Sequence, residues 1–298
     1  MNQARPAPDF AAQDATRLRH DAGDGGSLAI FGSAREISPV SSSPEFITSQ
    51  LLLREGFRHA FFTRRGGVSR APFDSLNFSR RVGDAEESVE ANLHRAAEAL
   101  GVPLDRLYFL SQVHGTEVVQ LSGGEDRDEI VHRTGDATVS TSPGVACGVR
   151  VADCVPVLVA DRETGAVCAI HSGWQGTTLG VTCAAVTALR KLIGGEGDLI
   201  AAIGPHIERC CFEVGDDVAE RLAASAPFES DVIVREGERK PHADLRRIVR
   251  SQLRALGLDD LAIDDVHGCT KCDADRFFSY RRDKERSGRH LAAIVTRG

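Results

Sequence analysis

The pattern of apolar and polar positions divides the chain at about residue 45. Before that point Ala, Pro, Asp, Gly and Ser dominate, and no helical or strand period can be followed. A segment of this kind buries too little apolar surface to fold by itself, so residues 1–44 are predicted to be a disordered or loosely attached tail. From there on the apolar pattern is dense and no Pro- or Ser-rich linker divides it, which predicts one domain over residues 45–298.

Short apolar runs rich in branched and aromatic residues predict strands, and longer runs with an apolar stripe predict helices. The predicted strands cover residues 57–63, 107–113, 145–152, 155–160, 166–171, 199–203, 277–280 and 291–296. The predicted helices cover residues 85–100, 176–193, 216–224 and 242–256. Asp84 followed by Glu87 predicts a capping-box start for the first helix, and Gly101 predicts its end. Because strands and helices mix without strict alternation, the pattern predicts an α/β fold class with a mixed-sheet core rather than a regular doubly wound sheet.

Composition narrows the function classes. Of the 298 residues, 42% are hydrophobic and 27% are charged, as in an ordinary soluble globular protein, and the net charge of -7 argues against a general attraction to nucleic acid. The sequence contains no run of about 18 apolar residues, so no membrane span is predicted. The N-terminus also lacks the apolar core of a signal peptide. Several of the eight cysteines lie in apolar runs, where a reduced thiol behaves as a small hydrophobe. We therefore expect a cytoplasmic protein with no nucleic-acid or membrane partner.

Three short motifs each place a potential metal ligand at the end of a predicted apolar strand. They contain His114, Cys154 and His171, each beside Gly, Asp or Pro. Two imidazoles and one thiolate suit zinc, and three protein ligands leave a fourth position for water or substrate. The spacings match no compact metal motif, so without further information hydrogen-bonded structural residues are the favoured interpretation of these positions.

An anion site is a second candidate. The segment Arg64-Arg65-Gly66-Gly67 combines forked guanidinium groups with the N–H groups of a turn, which suits phosphate. Tyr280-Arg281-Arg282 and Arg289 form a second basic cluster, in which the tyrosine can stack or donate a hydrogen bond. The alternative for both segments is a solvated surface.

Two aspartates and a cysteine motif have more than one interpretation. Asp153 precedes Cys154 and Asp136 lies in a Gly-Asp-Ala turn, so either could orient a metal-bound His, act as a general base or cap a turn.

Cys269-Thr270-Lys271-Cys272 is a Cys-x-x-Cys motif. A zinc ribbon needs a second such pair, which the vicinal Cys210-Cys211 is not, and a redox motif needs a strand before it and a helix after it. Packing or a turn is therefore the favoured interpretation.

A series of motifs resembles the laccase-domain family, whose members are also called YfiH-like proteins, polyphenol oxidases or peptidoglycan editing factors. The motifs are Thr63–Ser69, Ser75-Leu76-Asn77, Gly83-Asp84, Gln112–Gly115, Gly135–Ala137, Ala152–Val157, His171–Trp174, Ile203–Pro205, Cys211–Gly215, Cys269-Thr270, Phe278–Asp283 and Ser287–Arg289. Their joint occurrence in this order, over nearly everything but the tail, is highly specific.

The resemblance implies a mixed-sheet α/β/β/α layered single domain, with a zinc ion bound by His114, Cys154 and His171. It also implies phosphorolysis of adenosine, inosine, guanosine or methylthioadenosine, with adenosine deamination as a second activity; the partners are then a nucleoside and phosphate. Some members are associated instead with removing faulty peptidoglycan precursors. The catalytic residues expected on this basis are Cys154, His171 and Asp153. The expected substrate- or phosphate-binding residues are Arg64, Arg65, Gly66, Asn77, Asp136, Tyr280 and Arg281.

Two positions depart from the family pattern, and other functions stay open. Gln175 stands where the family usually has Arg, and His290 where it usually has Met, which bears on substrate identity more than on the metal. A cysteine hydrolase with Cys154 as nucleophile and His171 as base is the alternative enzyme. A multicopper oxidase is disfavoured because no His-x-His pair occurs and the only methionine is Met1. A structural zinc protein would need a fourth ligand of comparable context, and none is evident in the sequence.

Overall fold

Two mixed β-sheets lie face to face in the computed structural model, which describes residues 43–298. The strands are β1 (Phe46–Ile47), β2 (His59–Phe62), β3 (Leu107–Tyr108), β4 (Val118–Gln120), β5 (Ala137–Ser140), β6 (Ala146–Val151), β7 (Val155–Asp161), β8 (Val167–Ser172), β9 (Leu199–Ile203), β10 (Ile233–Val234), β11 (His242–Ala243), β12 (Ile263–Asp265) and β13 (His290–Val295). The helices are α1 (Gln50–Arg54), α2 (Glu86–Leu100), α3 (Arg127–Ile130), α4 (Trp174–Leu179), α5 (Val181–Ile193), α6 (Asp216–Ala224), α7 (Leu245–Ala255) and α8 (Tyr280–Asp283).

Both sheets contain parallel and antiparallel pairs. Sheet 1 has the order β1-β2-β13-β6-β3, sheet 2 has the order β12-β9-β7-β8-β5-β4, and β10 pairs with β11 in a separate ribbon. In sheet 1, β13 is antiparallel to β2 and β6, whereas β3 is parallel to β6. In sheet 2, β7 is antiparallel to β8 and β9, whereas β12 is parallel to β9. The predicted α/β fold class with mixed sheets is thereby confirmed.

Alternation along β7 shows how the layers are built. Val157 and Val159 pack with helices α5 and α7, whereas Leu158 and Ala160 pack against sheet 1. All four side chains are fully buried, so this central strand is apolar on both of its faces. Helix α2 covers the outer face of sheet 1, where Leu93 belongs to a third core cluster. The result is the α/β/β/α layering that the family resemblance implies.

Three helix boundaries differ from those predicted. The helix predicted to begin at residue 242 begins at Leu245, because residues 242 and 243 pair as strand β11. The predicted helix over residues 176–193 is two helices, because Gly180 adopts a left-handed φ of 84° that ends α4 immediately before α5. Helix α2 begins after Ala85 rather than with a capping box. The Asp84 side chain instead accepts hydrogen bonds from the Asn77 amide at 2.8 Å and from the Ala85 N–H at 2.9 Å.

Two predicted strands are wrong in whole or in part. Residues 277–280 contain no strand, because the Ser279 hydroxyl accepts a hydrogen bond from the Arg282 N–H at 3.2 Å and caps helix α8. The two phenylalanines before Ser279 form an apolar run that resembles a strand, but they are buried against the His290 ring without pairing in a sheet. Of the predicted strand 107–113, only β3 pairs within sheet 1, and the chain then leaves the sheet as a loop.

The predicted tail falls outside the described residues except for residues 43 and 44, so that expectation stays a prediction. Residues 43–298 belong to one compact unit. None of the helices in this described part is both long enough and apolar enough to cross a bilayer.

Candidate metal centre

Three side chains from distant parts of the chain meet where the two sheets adjoin. His114 lies in the loop after β3, Cys154 in the turn that joins β6 of sheet 1 to β7 of sheet 2, and His171 near the end of β8. Their ligand atoms all lie within 4.8 Å of one another, and the centroids of the two imidazole rings are 4.8 Å apart. The structure therefore brings the three residues predicted as metal ligands into one group.

The backbone takes rare conformations at two points of this group. His114 has a φ of 61°, and Asp153, directly before Cys154, has a φ of 87°. Left-handed conformations of this kind cost a non-glycine residue about 1–3 kcal/mol and persist only where surrounding contacts fix them. The contacts around both residues are accordingly extensive.

The Asp136 carboxylate supplies the contacts at His114 and His171. One carboxylate oxygen accepts hydrogen bonds from His171 Nδ1 at 2.8 Å and from the His114 N–H at 2.9 Å. The other accepts from the N–H groups of Val113 and Gly115, at 3.2 and 2.7 Å. Asp136 is fully buried, so it lies behind the ligands and orients them rather than facing a substrate. With Nδ1 engaged, Nε2 is the His171 nitrogen left for a metal.

Electrostatics favour the ligand form of Cys154. Burial by itself raises the pKa of this thiol, but the charge of His171 and hydrogen bonds from His114 and His171 outweigh burial and lower the pKa to about 6. Burial likewise lowers the pKa of His171, but the Cys154 charge and the Asp136 hydrogen bond raise it to about 9. Near neutral pH these values give a thiolate beside an imidazolium; the thiolate is the ligand form of cysteine, and His171 would release its proton when a divalent cation binds.

Gly173 leaves space beside the three ligands. A Cβ atom at this position would lie 2.5 Å from His114 Nδ1 and 3.0 Å from Cys154 Sγ. Any side chain here would therefore collide with two of the ligands. Two imidazoles and one thiolate around such a space fit a divalent metal ion with one coordination position left open.

A cavity of about 500 Å³ opens over this group. That volume lies within the usual range for small-molecule sites. Its lining residues are Ser79, Arg81, Val82, Gln112, His114, Arg150, Ala152, Cys154, His171, Tyr280 and Arg289.

Three guanidinium groups line the same cavity. Burial and the positive charges of Arg81 and Arg289 together lower the pKa of Arg150 to about 10. Burial lowers the pKa of Arg289, and the negative charge of the nearby Cys154 sulfur acts in the opposite direction. Arg81 has no hydrogen bond or ion pair with the described residues. Cations that repel one another in a cavity form a site for an anion.

Sequence reasoning identified Arg289 but not the other two arginines. Arg150 carries a signal that could have been used, because it is the one charged residue in the otherwise apolar strand β6. Its backbone N–H and C=O both bond to the Gln112 side chain, at 2.8 and 2.7 Å. Arg81 follows another arginine in a short helical turn, and nothing in that context marks it.

Arg64 and Arg65 do not line this cavity. The Arg64 guanidinium donates to the carbonyls of Asp74 and Ala274, at 2.8 and 3.1 Å, and Arg65 Nε donates to another carbonyl at 2.9 Å. Gly66 is packed so tightly that an added Cβ would lie 2.3 Å from the Ser43 carbonyl oxygen. These residues join loops to one another, and the structure gives their predicted phosphate contact no support.

The remaining predicted residues surround the cavity in different ways. The Asp153 carboxylate accepts from Thr270 Oγ1 at 2.6 Å and from the Arg281 N–H at 2.5 Å, and Asp153 is not among the residues that line the cavity. The Arg281 guanidinium donates to the Glu213 carbonyl at 2.8 Å. The exposed Tyr280 ring does line the cavity.

Asn77 acts through its neighbours. It is fully buried, and its side-chain oxygen accepts from the N–H groups of Ser79 and Arg289, at 3.1 and 2.8 Å. Both of those residues line the cavity. Asn77 therefore positions the cavity wall without touching a ligand in the cavity itself.

Asp136→Asn is expected to lower metal affinity by about tenfold to a hundredfold, the usual effect of removing a carboxylate that orients a metal-bound His. A competition titration against a metal chelator measures this change. Asp161→Asn is the matched control, because Asp161 is also fully buried and hydrogen-bonded but contacts Thr164 and Asp198. If both variants kept wild-type metal affinity, Asp136 would have only a folding role.

Comparison with known proteins gives consistent matches. Residues 58–297 match the family described as multi-copper polyphenol oxidoreductase laccase. A Shigella flexneri protein named purine nucleoside phosphorylase YfiH is 35% identical over 240 residues, which cover 80% of this chain and 94% of that protein. A purine nucleoside phosphorylase of Pseudomonas aeruginosa is 40% identical over 237 residues, covering 78% of this chain and 90% of that protein. The crystal structure of YlmD from Geobacillus stearothermophilus superposes with a TM-score of 0.76 at 33% identity, covering 82% of this chain and 93% of YlmD.

Proposed function

Because the chain belongs to the multi-copper polyphenol oxidoreductase laccase family and is similar to purine nucleoside phosphorylases, we propose that it is a zinc-dependent purine nucleoside phosphorylase. The substrates are adenosine, inosine, guanosine or methylthioadenosine together with phosphate, and the products are the free base and the sugar 1-phosphate. One observation carries the proposal: the three metal ligands and three guanidinium groups line the same cavity of about 500 Å³.

The arginines would bind the phosphate co-substrate. A phosphate dianion between Arg81, Arg150 and Arg289 would relieve the repulsion that these groups exert on one another. Each charge-assisted hydrogen bond contributes about 1.5–3 kcal/mol. Tyr280 presents an exposed ring at the edge of the cavity, where it can stack on a purine.

Zinc is the metal that we propose for the His114, Cys154 and His171 group. When bound there, zinc supplies a Lewis acid that polarises a substrate oxygen. The family description names copper, but in the part of the chain that the structure describes the metal-binding groups are two His with one Cys, and four Cys. The sequence has only Met1 to offer as the axial thioether of a blue-copper site. Neither group supplies the several His that a multicopper centre requires.

A hydrolase is the second candidate, and the Cys154–His171 pair favours it. The sulfur lies beside an imidazole that can take its proton, which is the arrangement of a nucleophilic cysteine. Such an enzyme could act on peptidoglycan precursors. Chelation separates the two candidates, since a metal-dependent phosphorylase loses activity with its metal and a Cys–His hydrolase does not.

Adenosine and inosine are expected to be consumed in phosphate buffer, with free base and ribose 1-phosphate as products. The zinc-loaded protein is incubated with a nucleoside panel, with and without phosphate, and the products are identified by mass. Inosine formed from adenosine independently of phosphate would reveal the additional deaminase activity that we propose. If no nucleoside is consumed with zinc and phosphate both saturating, the precursor-editing hydrolase becomes the better assignment.

A further inference from the structure

Four cysteines outside the cavity converge at the protein surface. Cys210 and Cys211 lie in the loop after β9, and Cys269 and Cys272 lie in the loop after β12. All four Sγ atoms lie within 4.8 Å of one another. Cys210 Sγ is 3.6 Å from the sulfur atoms of Cys269 and Cys272, and Cys211 Sγ is 3.3 Å from that of Cys272. The second cysteine pair that the Cys-x-x-Cys motif lacks in the sequence is thus supplied by the fold.

The distances match one metal ion with four thiolate ligands. In a tetrahedral zinc site with Zn–S bonds of about 2.3 Å, neighbouring sulfur atoms lie about 3.8 Å apart. A disulfide would require a separation of about 2.05 Å, which none of the three measured distances approaches. A polynuclear iron–sulfur cluster places its own iron and sulfide atoms between the cysteines, and sulfur atoms this close leave no space for that core.

The surroundings are not those of thiols packed in an apolar core. The backbone N–H groups of Glu208 and Cys272 hydrogen-bond to the sulfur of Cys269. Cys210 and Cys272 are exposed, so these sulfur atoms do not form an apolar core cluster. Four sulfur atoms this close repel one another when ionised, and a divalent cation removes that repulsion.

We propose that Cys210, Cys211, Cys269 and Cys272 bind a second zinc ion, at a site distinct from the cavity. Four protein ligands leave no open position, so the site is structural. The site joins the loops after β9 and β12. The regular secondary structure that otherwise links these loops is an isolated bridge between His206 and Cys269.

The joined loops also border the cavity. Thr270, within the Cys-x-x-Cys motif, donates a hydrogen bond at 2.6 Å to the carboxylate of Asp153, the residue directly before Cys154 in the chain. The same loop accepts a hydrogen bond from Arg282 at the Thr270 carbonyl, at 3.0 Å, and so holds the start of α8, where Tyr280 lies. Loss of this zinc is therefore expected to loosen one wall of the cavity while the His114, Cys154 and His171 ligands stay in place.

Metal analysis of the intact chain tests the proposal. The wild-type protein is expected to contain about two zinc ions, and Cys272→Ser about one. Cys183→Ser is the matched control, because Cys183 is exposed on α5 and belongs to neither group, and it should keep both ions. Zinc content unchanged in Cys272→Ser, iron in place of zinc, or a disulfide among the four cysteines of the isolated protein would overturn the proposal.

A second variant protects the test against misfolding of Cys272→Ser. Cys154→Ala removes a ligand of the cavity site only, so it should retain about one zinc ion. Its cobalt(II)-substituted form should show the intense thiolate charge-transfer absorption of a tetrathiolate site. A Cys154→Ala protein that is folded but free of zinc would show that the four cysteines do not bind this metal.

Discussion

Cys154→Ala is expected to remove one zinc ion per chain and to lower nucleoside cleavage by about a hundredfold or more. Loss of a residue that merely orients a metal ligand costs about tenfold to a hundredfold, and loss of the ligand itself should exceed that. The remaining His114 and His171 would bind the ion with two nitrogens and without the thiolate charge. Zinc content and initial rates measured on the same preparations check both effects.

Cys168→Ala is the matched control for this prediction. Cys168 lies in β8, three residues before His171, and is fully buried in the core that faces helix α5. Its removal should lower the midpoint of thermal unfolding because it leaves a small cavity, but it should leave zinc content and specific activity unchanged. Equal zinc content in the two variants would exclude Cys154 as a ligand.

Arg289→Gln is expected to raise the KM for phosphate by about tenfold to a hundredfold. One charge-assisted contact is worth about 1.5–3 kcal/mol, which corresponds to that range. Arg289 also donates to the Ser287 carbonyl at 2.7 Å, so its replacement has a structural component. Arg81→Gln avoids that component because Arg81 has no hydrogen-bonding partner within the described residues, and it should show a change in the same direction.

Arg64→Gln separates phosphate binding from loop structure. The sequence pattern predicts that Arg64 binds phosphate, but its guanidinium is already bonded to two carbonyls and lies 4.5 Å from the centroid of the Phe278 ring. We expect this variant to be less stable, with an unchanged KM for phosphate. An effect on phosphate KM at Arg64 and none at Arg81 or Arg289 would move the anion site to the turn of residues 64–67.

Apolar periodicity was sufficient to predict the sheet core, whereas the metal interpretation of His114, Cys154 and His171 depended on the family resemblance. β6, β7, β8 and β9 lie within a residue or two of their predicted bounds, because each is a predominantly apolar run in a buried layer. The short strand β5 was missed, since Ala137–Ser140 is half polar and becomes a strand through pairing with β4 and β8. The local pattern of apolar and polar residues carries no information about that pairing between distant segments.

Side-chain direction could not be predicted from the sequence in the same way. Arg64 and Arg150 are similar in isolation and both donate to backbone carbonyls, yet only Arg150 lies in the cavity wall. Cys211 and Cys272 are far apart in the chain and meet only because β9 and β12 are adjacent parallel strands whose following loops leave the same end of sheet 2. Gly173 gives no sequence signal for its closeness to two ligands.

The departure from the family at Gln175 can now be located. Gln175 is exposed in the first turn of α4 and is not among the residues that line the cavity. The metal ligands and the three cavity arginines therefore do not depend on it. Gln175→Arg should leave the zinc content unchanged, so any gain in activity would come from substrate contacts.

The central position of β13 has a consequence for biosynthesis. This strand follows every other described strand in the chain, yet it lies between β2 and β6 in sheet 1. While the ribosome is still translating the preceding segments, β2 and β6 each expose an unpaired edge, which is a template for association with other nascent chains. Arg289 directly precedes β13, so the same late step that closes sheet 1 also delivers the last arginine of the cavity. A nascent chain that has not yet paired β13 is thus both open to aggregation and without the complete set of arginines of the proposed anion site.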